Sequence, residues 1–235
     1  MKSEKNDKTF YYKIKLIIVG DAGVGKTNLI HRFAKGEFKN DYHLTIGMDF
    51  LSQNIQVDDK YFSLEIWDTA GSEKFKSITK GFYNNSTSVI VVYDITDEKS
   101  FISISNWIED VKNYSNKKVD IVLVGNKNDL IHQRVISKED GQEMSIKNEM
   151  RFYECSALTG ENVENIFLDI CKNISKNIDE GKYDFDDESP ILKKCETISK
   201  IKINKRTFSQ SENSDKNIIL DKSEKKKKTK RKKCC

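Results

Sequence analysis

Gly20-Asp21-Ala22-Gly23-Val24-Gly25-Lys26-Thr27 follows G-x-x-x-x-G-K-[ST], the spacing of a backbone loop that wraps phosphate, and its flanks make the pattern specific. Residues 13–19 (KIKLIIV) form a short β-branched run that predicts a buried strand leading in. Leu29, Ile30 and Phe33 recur at helical spacing and predict a helix leading out. In that setting glycine lets the chain turn tightly, so successive N–H groups face phosphate oxygens, and the helix N-terminus adds the positive end of its dipole. Lys26 supplies a mobile positive charge, and the Thr27 hydroxyl is a ligand for Mg²⁺. The loop does not by itself separate ATP from GTP.

Working outward, the runs 88–93 (SVIVVY) and 120–124 (DIVLV) also read as strands covered on both faces. Residues 49–57 and 61–67 alternate more and are joined by Asp58-Asp59-Lys60, which predicts an antiparallel hairpin. Helices are predicted over 100–114, with Phe101, Ile104, Trp107, Ile108 and Val111 on one face, and over 162–178, with Val163, Ile166, Phe167, Ile170 and Ile174. Ser137 with Asp140 reads as a capping box starting another helix. Alternating strands and helices predict an α/β domain with a mostly parallel sheet. After Gly181 the texture changes: 183–189 is acidic, Pro190 is the one proline, and Lys, Ser and Asn dominate. The chain thus divides into an N-terminal extension (1–11), a folded domain (12–178) and a tail (179–235) expected to be a flexible arm.

The 235 residues suffice for one such domain with a tail. No run of about 18 apolar residues predicts a membrane span. Residues 1–8 carry no signal-peptide core, and Lys2 stands where myristoylation needs glycine. Five cysteines are too few and scattered for a disulfide framework, and Cys155 and Cys171 fall in apolar stretches that predict buried thiols. The net charge is +4, but 225–233 (KKKKTKRKK) concentrates positive charge just before Cys234 and Cys235. Such a run is commonly a solvated end; it also suits an anionic membrane surface, and nuclear import or RNA contact is the competing reading.

The base is read at Asn126-Lys127-Asn128-Asp129, directly after the strand ending at Val124-Gly125. Open α/β sheets bind ligands at the carboxyl ends of their strands. Guanine offers N1–H and a 2-amino group, a two-point donor that a carboxylate at Asp129 matches; adenine offers no such pair.

GDAGVGKT (20–27), TIGMDF (45–50), WDTAGSEKF (67–75), NKND (126–129) and ECSAL (154–158), in that order, resemble the five nucleotide-binding motifs of Ras-superfamily GTPases. TIGMDF, WDTAGSEKF and the terminal Cys-Cys resemble the Rab family in particular. The resemblance spans residues 12–178 and the last two. It implies the P-loop GTPase fold: a six-stranded, mostly parallel sheet with about five helices on both faces. It implies a GTP phosphohydrolase that cycles between GTP and GDP with Mg²⁺, recruits effectors in vesicle-mediated transport, and sits on the cytoplasmic face of endomembranes while cycling with the cytosol. Asp21, Ala22, Gly23, Val24, Gly25, Lys26, Thr27 and Asn28 would line the phosphates, and Phe38 would pack on the guanine. Asn126 and Lys127 would brace the base loop, Asp129 would read the base beside Leu130, and Ser156, Ala157 and Leu158 would close on its O6 side. Thr27, Thr45 and Asp68 would hold the metal; Lys26, Thr45, Gly71 and Ser72 are the catalytic set. Ile46, Gly47, Phe50, Trp67 and Phe82 would present the nucleotide state to effectors. The implied partners are effectors, an exchange factor, a GTPase-activating protein, a prenylation escort, a GDP-dissociation inhibitor and a membrane reached through geranylgeranyl groups on Cys234 and Cys235. No nucleic acid is implied, and the protein is expected to be a monomer.

Four departures qualify the resemblance, one of them Asn84-Asn85-Ser86 in place of the usual YYRGA stretch. Ser72 stands where most relatives carry the glutamine that orients the attacking water, so very slow intrinsic hydrolysis is expected. Ala22 adds a methyl at a crowded loop position, and Leu158 replaces the usual lysine. The alternative function is therefore a nucleotide-dependent binding module with negligible hydrolysis; an ATP-using enzyme is disfavoured by Asp129.

Overall fold

A computed structural model describes residues 10–40, 45, 48–71, 76–116, 118–183 and 192–196. All of them lie within the compact unit Met1–Asn204. Strand β1 (Phe10–Val19) runs up the middle of the sheet. Leu16, Ile17, Ile18 and Val19 are each wholly buried, so both faces of β1 are covered, as four consecutive apolar residues require. Helix α1 (Lys26–Lys35) follows the phosphate loop, and β2 (Met48–Val57) and β3 (Lys60–Thr69) form the expected antiparallel hairpin. Helix α2 (Lys76–Tyr83), β4 (Ser88–Asp94), α3 (Glu98–Ile102), α4 (Ile104–Tyr114), β5 (Asp120–Asn126), α5 (Lys138–Lys147), β6 (Arg151–Glu154) and α6 (Val163–Asp179) complete the domain. A short 3-10 turn, Asn128–Gln133, follows β5.

The strands lie in the order β2-β3-β1-β4-β5-β6, and all but β2 run parallel to their neighbours. One apolar cluster packs Ile14, Leu16 and Ile18 against α1 and α6; Phe33 stacks on Phe167 with ring centroids 3.8 Å apart. The opposite cluster packs Ile17 and Val19 with Trp107, Ile108 and Val111 of α4. This is the expected mostly parallel sheet with helices on both faces. Cys155 and Cys171 are buried free thiols, and Ser137 and Asp140 form a complete capping box at the start of α5.

Two sequence expectations are revised. The helix expected over 100–114 is two helices, because Asp97 caps an earlier start by accepting Lys99 N–H and the chain tightens at Ser103. That gives six α-helices among the described residues rather than about five. The expected extension and tail also each contribute to the sheet. Strand β1 already begins at Phe10, and β7 (Leu192–Glu196) pairs antiparallel with its first half. On that side β4 reaches β1 only from Leu16 onward, so residues 10–14 have an open edge whose backbone groups need partners, and β7 supplies them. No helix among the described residues is long and apolar enough to cross a membrane.

Candidate nucleotide site

The site is built at the carboxyl ends of β1, β3, β5 and β6. Gly20 takes φ +142°, and a Cβ there would lie 2.2 Å from the Val92 carbonyl oxygen. The loop can therefore pass this close to β4 only as glycine. Lys26 is 5% exposed and donates to the carbonyls of Gly20 and Asp21, each at 2.8 Å. Burial pushes its ammonium down to about 8, partly offset by the carboxylates of Asp68 and Asp21. A buried cation at the mouth of this loop suits an anionic ligand such as phosphate.

Beside it, the Thr27 hydroxyl donates to Asp68 Oδ2 at 2.6 Å and lies 3.0 Å from the Thr45 hydroxyl. Asp68 ends β3 and is buried, and its Oδ1 has no hydrogen-bond partner. Burial raises its carboxyl above the usual range; the Thr27 hydrogen bond and Lys26 oppose that rise. Two hydroxyls and one carboxylate, one of whose oxygens is orphaned, form a donor set that fits a hard, oxygen-seeking cation such as Mg²⁺. Gly71 packs straight onto the phosphate loop: a Cβ on it would lie 2.4 Å from the Ala22 nitrogen.

The base side is assembled from two loops. Asn126 donates from Nδ2 to Val24 O at 2.8 Å and accepts Ala157 N–H at 3.1 Å, tying the phosphate loop to the loop after β6. The Ser156 hydroxyl donates to Asp129 Oδ1. Lys127 sits at φ +69° and pairs with Asp94 at 2.6 Å, while Asn128 N–H bonds Cys155 O. Leu130 lies in the 3-10 turn, Phe38 packs against the core beyond α1, and Leu158 is exposed. The Asn28 side chain is engaged elsewhere, exchanging two hydrogen bonds with the Lys39 backbone at 3.1 and 3.2 Å.

On the adjoining face, Phe50, Trp67 and Phe82 form one aromatic row, with centroids 5.0 and 5.3 Å apart. Phe50 is half exposed, and Lys15 Nζ lies 5.7 Å from the Trp67 ring. Ile46, Gly47, Ser72, Cys234 and Cys235 lie outside the described residues.

The structure adds supports that sequence reasoning missed. Trp107 Nε1 donates to Asp21 Oδ1 at 2.7 Å, anchoring the crest of the phosphate loop to α4. Arg134 grips Glu154 through both terminal guanidinium nitrogens, at 2.5 and 3.0 Å, and also donates to Asn128 Oδ1 at 2.9 Å. Arg32 bonds the carbonyls of Ala157, Leu158 and Gly36. Trp107 was legible only as part of an apolar stripe, and the two arginines carry no local signal at all.

Such a loop, donor set and base pocket on this sheet define a Ras-type nucleotide-binding domain. The Ras family model matches residues 15–176, and the chain belongs to the Ras family. It is 38% identical over 188 residues to Ras-related protein Rab11B of Nicotiana tabacum, covering 80% of this chain and 87% of that one. It is 40% identical over 172 residues to Ras-related protein Rab-8A of Pongo abelii (73% and 83% covered). With Ras-related protein RABA1f of Arabidopsis thaliana it shares 35% over 199 residues (85% and 92% covered). Within the family it is a Rab small GTPase, a GTP hydrolase that serves as a GTP/GDP switch in vesicle trafficking.

Proposed function

We propose that this protein is a slowly hydrolysing, membrane-anchored Rab switch whose nucleotide contacts are those expected from the motifs. The observation that carries the reading is the convergence, at one end of the sheet, of Lys26, the Thr27–Asp68–Thr45 oxygens and the Ser156–Asp129 pair. Lys26 and the loop N–H groups from Asp21 to Thr27 hold the phosphates, with Asn28 at the helix start. Asp129 accepts from guanine N1–H and the 2-amino group, Ala157 N–H faces O6, and Phe38 covers the ring. When bound by Thr27, Thr45 and Asp68, Mg²⁺ supplies positive charge against the phosphate oxygens. Thr45 and Gly71 sense the γ-phosphate; its loss releases their segments and changes the surface offered by Phe50, Trp67 and Phe82 to effectors. Calorimetry tests the reading: tight GDP and weak ADP binding is expected, and equal affinities would sink it.

Slow turnover follows from Ser72, whose side chain is too short to orient water as glutamine does. Ser72→Gln is expected to raise single-turnover GTP hydrolysis by at least about tenfold. A wild-type rate already equal to that of the variant removes the argument. The second reading, a nucleotide-dependent binding module with negligible hydrolysis, is favoured by the same residue together with Ala22. Phosphate release on adding a matched activating protein separates the two.

The anchor is proposed from Cys234 and Cys235 with the basic run 225–233 before them. Two lipid chains, or one with a polybasic segment, hold a protein stably where a single chain does not. In cells, Cys234→Ser/Cys235→Ser is expected to move the protein from the membrane pellet to the soluble fraction. Persistence in the pellet, or nuclear accumulation of both forms, overturns the assignment. The regulators expected of a Rab (exchange factor, activating protein, prenylation escort and GDP-dissociation inhibitor) complete the proposed cycle on the cytoplasmic face of endomembranes.

A further inference from the structure

Helix α1 does more than follow the phosphate loop. From its exposed side Arg32 donates Nε to the Ala157 carbonyl at 2.9 Å and one terminal nitrogen to the Leu158 carbonyl, while its other terminal nitrogen reaches Gly36 O at 2.6 Å. One planar guanidinium thus spans the loop after β6 and the turn that ends α1. One turn earlier on the same helix, Asn28 fastens the Lys39 backbone at two points, on the far side of Phe38. Ala157 is itself held by Asn126, and its neighbour Ser156 donates to Asp129. The chain of contacts therefore runs from Arg32 through Ala157 and Ser156 to the carboxylate that faces the base.

We propose that Arg32 is a positioning residue for guanine specificity: it clamps the loop carrying Ser156 and Ala157 against the C-terminal end of α1 and thereby fixes Asp129. The inference rests on the nucleotide reading above and adds to it a residue outside the sequence motifs. Three carbonyls at different headings need a forked, planar donor; an ammonium is a point charge and cannot replace it. Releasing the clamp lets the loop after β6 move, which loosens Asp129 and opens the path by which the base leaves.

The test measures release of fluorescent GDP and IDP, in Mg²⁺, from the full-length protein and from Arg32→Ala and Arg32→Lys. IDP lacks the 2-amino group that Asp129 accepts, so the ratio of the two release rates reports how well that carboxylate is held. Arg32→Ala is expected to speed GDP release by about tenfold or more, in line with loss of charge-assisted hydrogen bonds. The GDP-to-IDP discrimination should shrink several-fold, with Arg32→Lys failing to restore it. Unchanged release, or equal acceleration of both nucleotides with the discrimination kept, overturns the proposal. Loss of the folded state in both variants by circular dichroism also overturns it, since Arg32 is then structural only. Wild-type protein that shows no preference for GDP over IDP rejects instead the nucleotide reading on which the proposal stands.

Discussion

Asp129→Asn is expected to weaken GDP binding by roughly a hundred- to ten-thousandfold. The carboxylate is acceptor-only and faces a base edge that presents two donors. An amide in its place turns one N–H₂ toward another donor, so a hydrogen bond is lost and a buried polar group is left unpaired. The Ser156 hydroxyl, which donates to Asp129 Oδ1, can still donate to the amide oxygen, so the loop should stay folded. Xanthine carries a carbonyl at position 2, and the amide matches it. Binding of XDP is therefore expected to rise as that of GDP falls. Titration with the two fluorescent diphosphates reads both changes, and an Asp129→Asn protein that kept its GDP affinity would falsify the base assignment.

Gly25→Ala is expected to abolish measurable nucleotide binding, a loss beyond about a hundredfold, and to destabilise the fold by roughly 2–4 kcal/mol. Gly25 caps α1 at φ +95°, a conformation that L side chains rarely adopt. An added methyl would sit 2.4 Å from Asn126 Nδ2. That nitrogen holds Val24 O, while the other end of the same side chain holds Ala157 N–H. The collision therefore strikes a residue that joins the phosphate loop to the base pocket. Gly81→Ala is the control: nothing lies within 4 Å of its added Cβ, so in α2 it is expected to leave stability unchanged or raise it by up to about 1 kcal/mol. Chemical denaturation and GDP titration of the two proteins check the contrast. Equal behaviour would mean that the close contact of Gly25 with Asn126 is not what holds the site.

Much of this site can be read along the chain because its chemistry is local. Residues 20–27 need their glycines and lysine at fixed spacing, and 126–129 need to follow a strand; both stretches show this without any partner. The hairpin β2–β3 and the two-sided burial of β1 were legible for the same reason, since alternation and continuous apolar runs are properties of a segment. Strand β6 was not legible. Arg151–Glu154 is four residues long and only half buried, and it becomes a strand by pairing with β5. Strand β7 likewise forms on an edge that β4 leaves open.

The supports of the site failed to show for a related reason. Arg32 meets Ala157 across 125 positions and Trp107 meets Asp21 across 86, and neither pair leaves a pattern in its own neighbourhood. Residue order alone specifies a phosphate loop that joins a buried strand to a helix and a carboxylate that follows a later strand, and hence the family. Those features rest on backbone conformation and donor–acceptor identity, which a few adjacent residues specify. How the two loops are held together emerges from the fold. That alignment comes from hydrogen bonds between segments far apart in the chain, and it forms only once the sheet has brought their ends together.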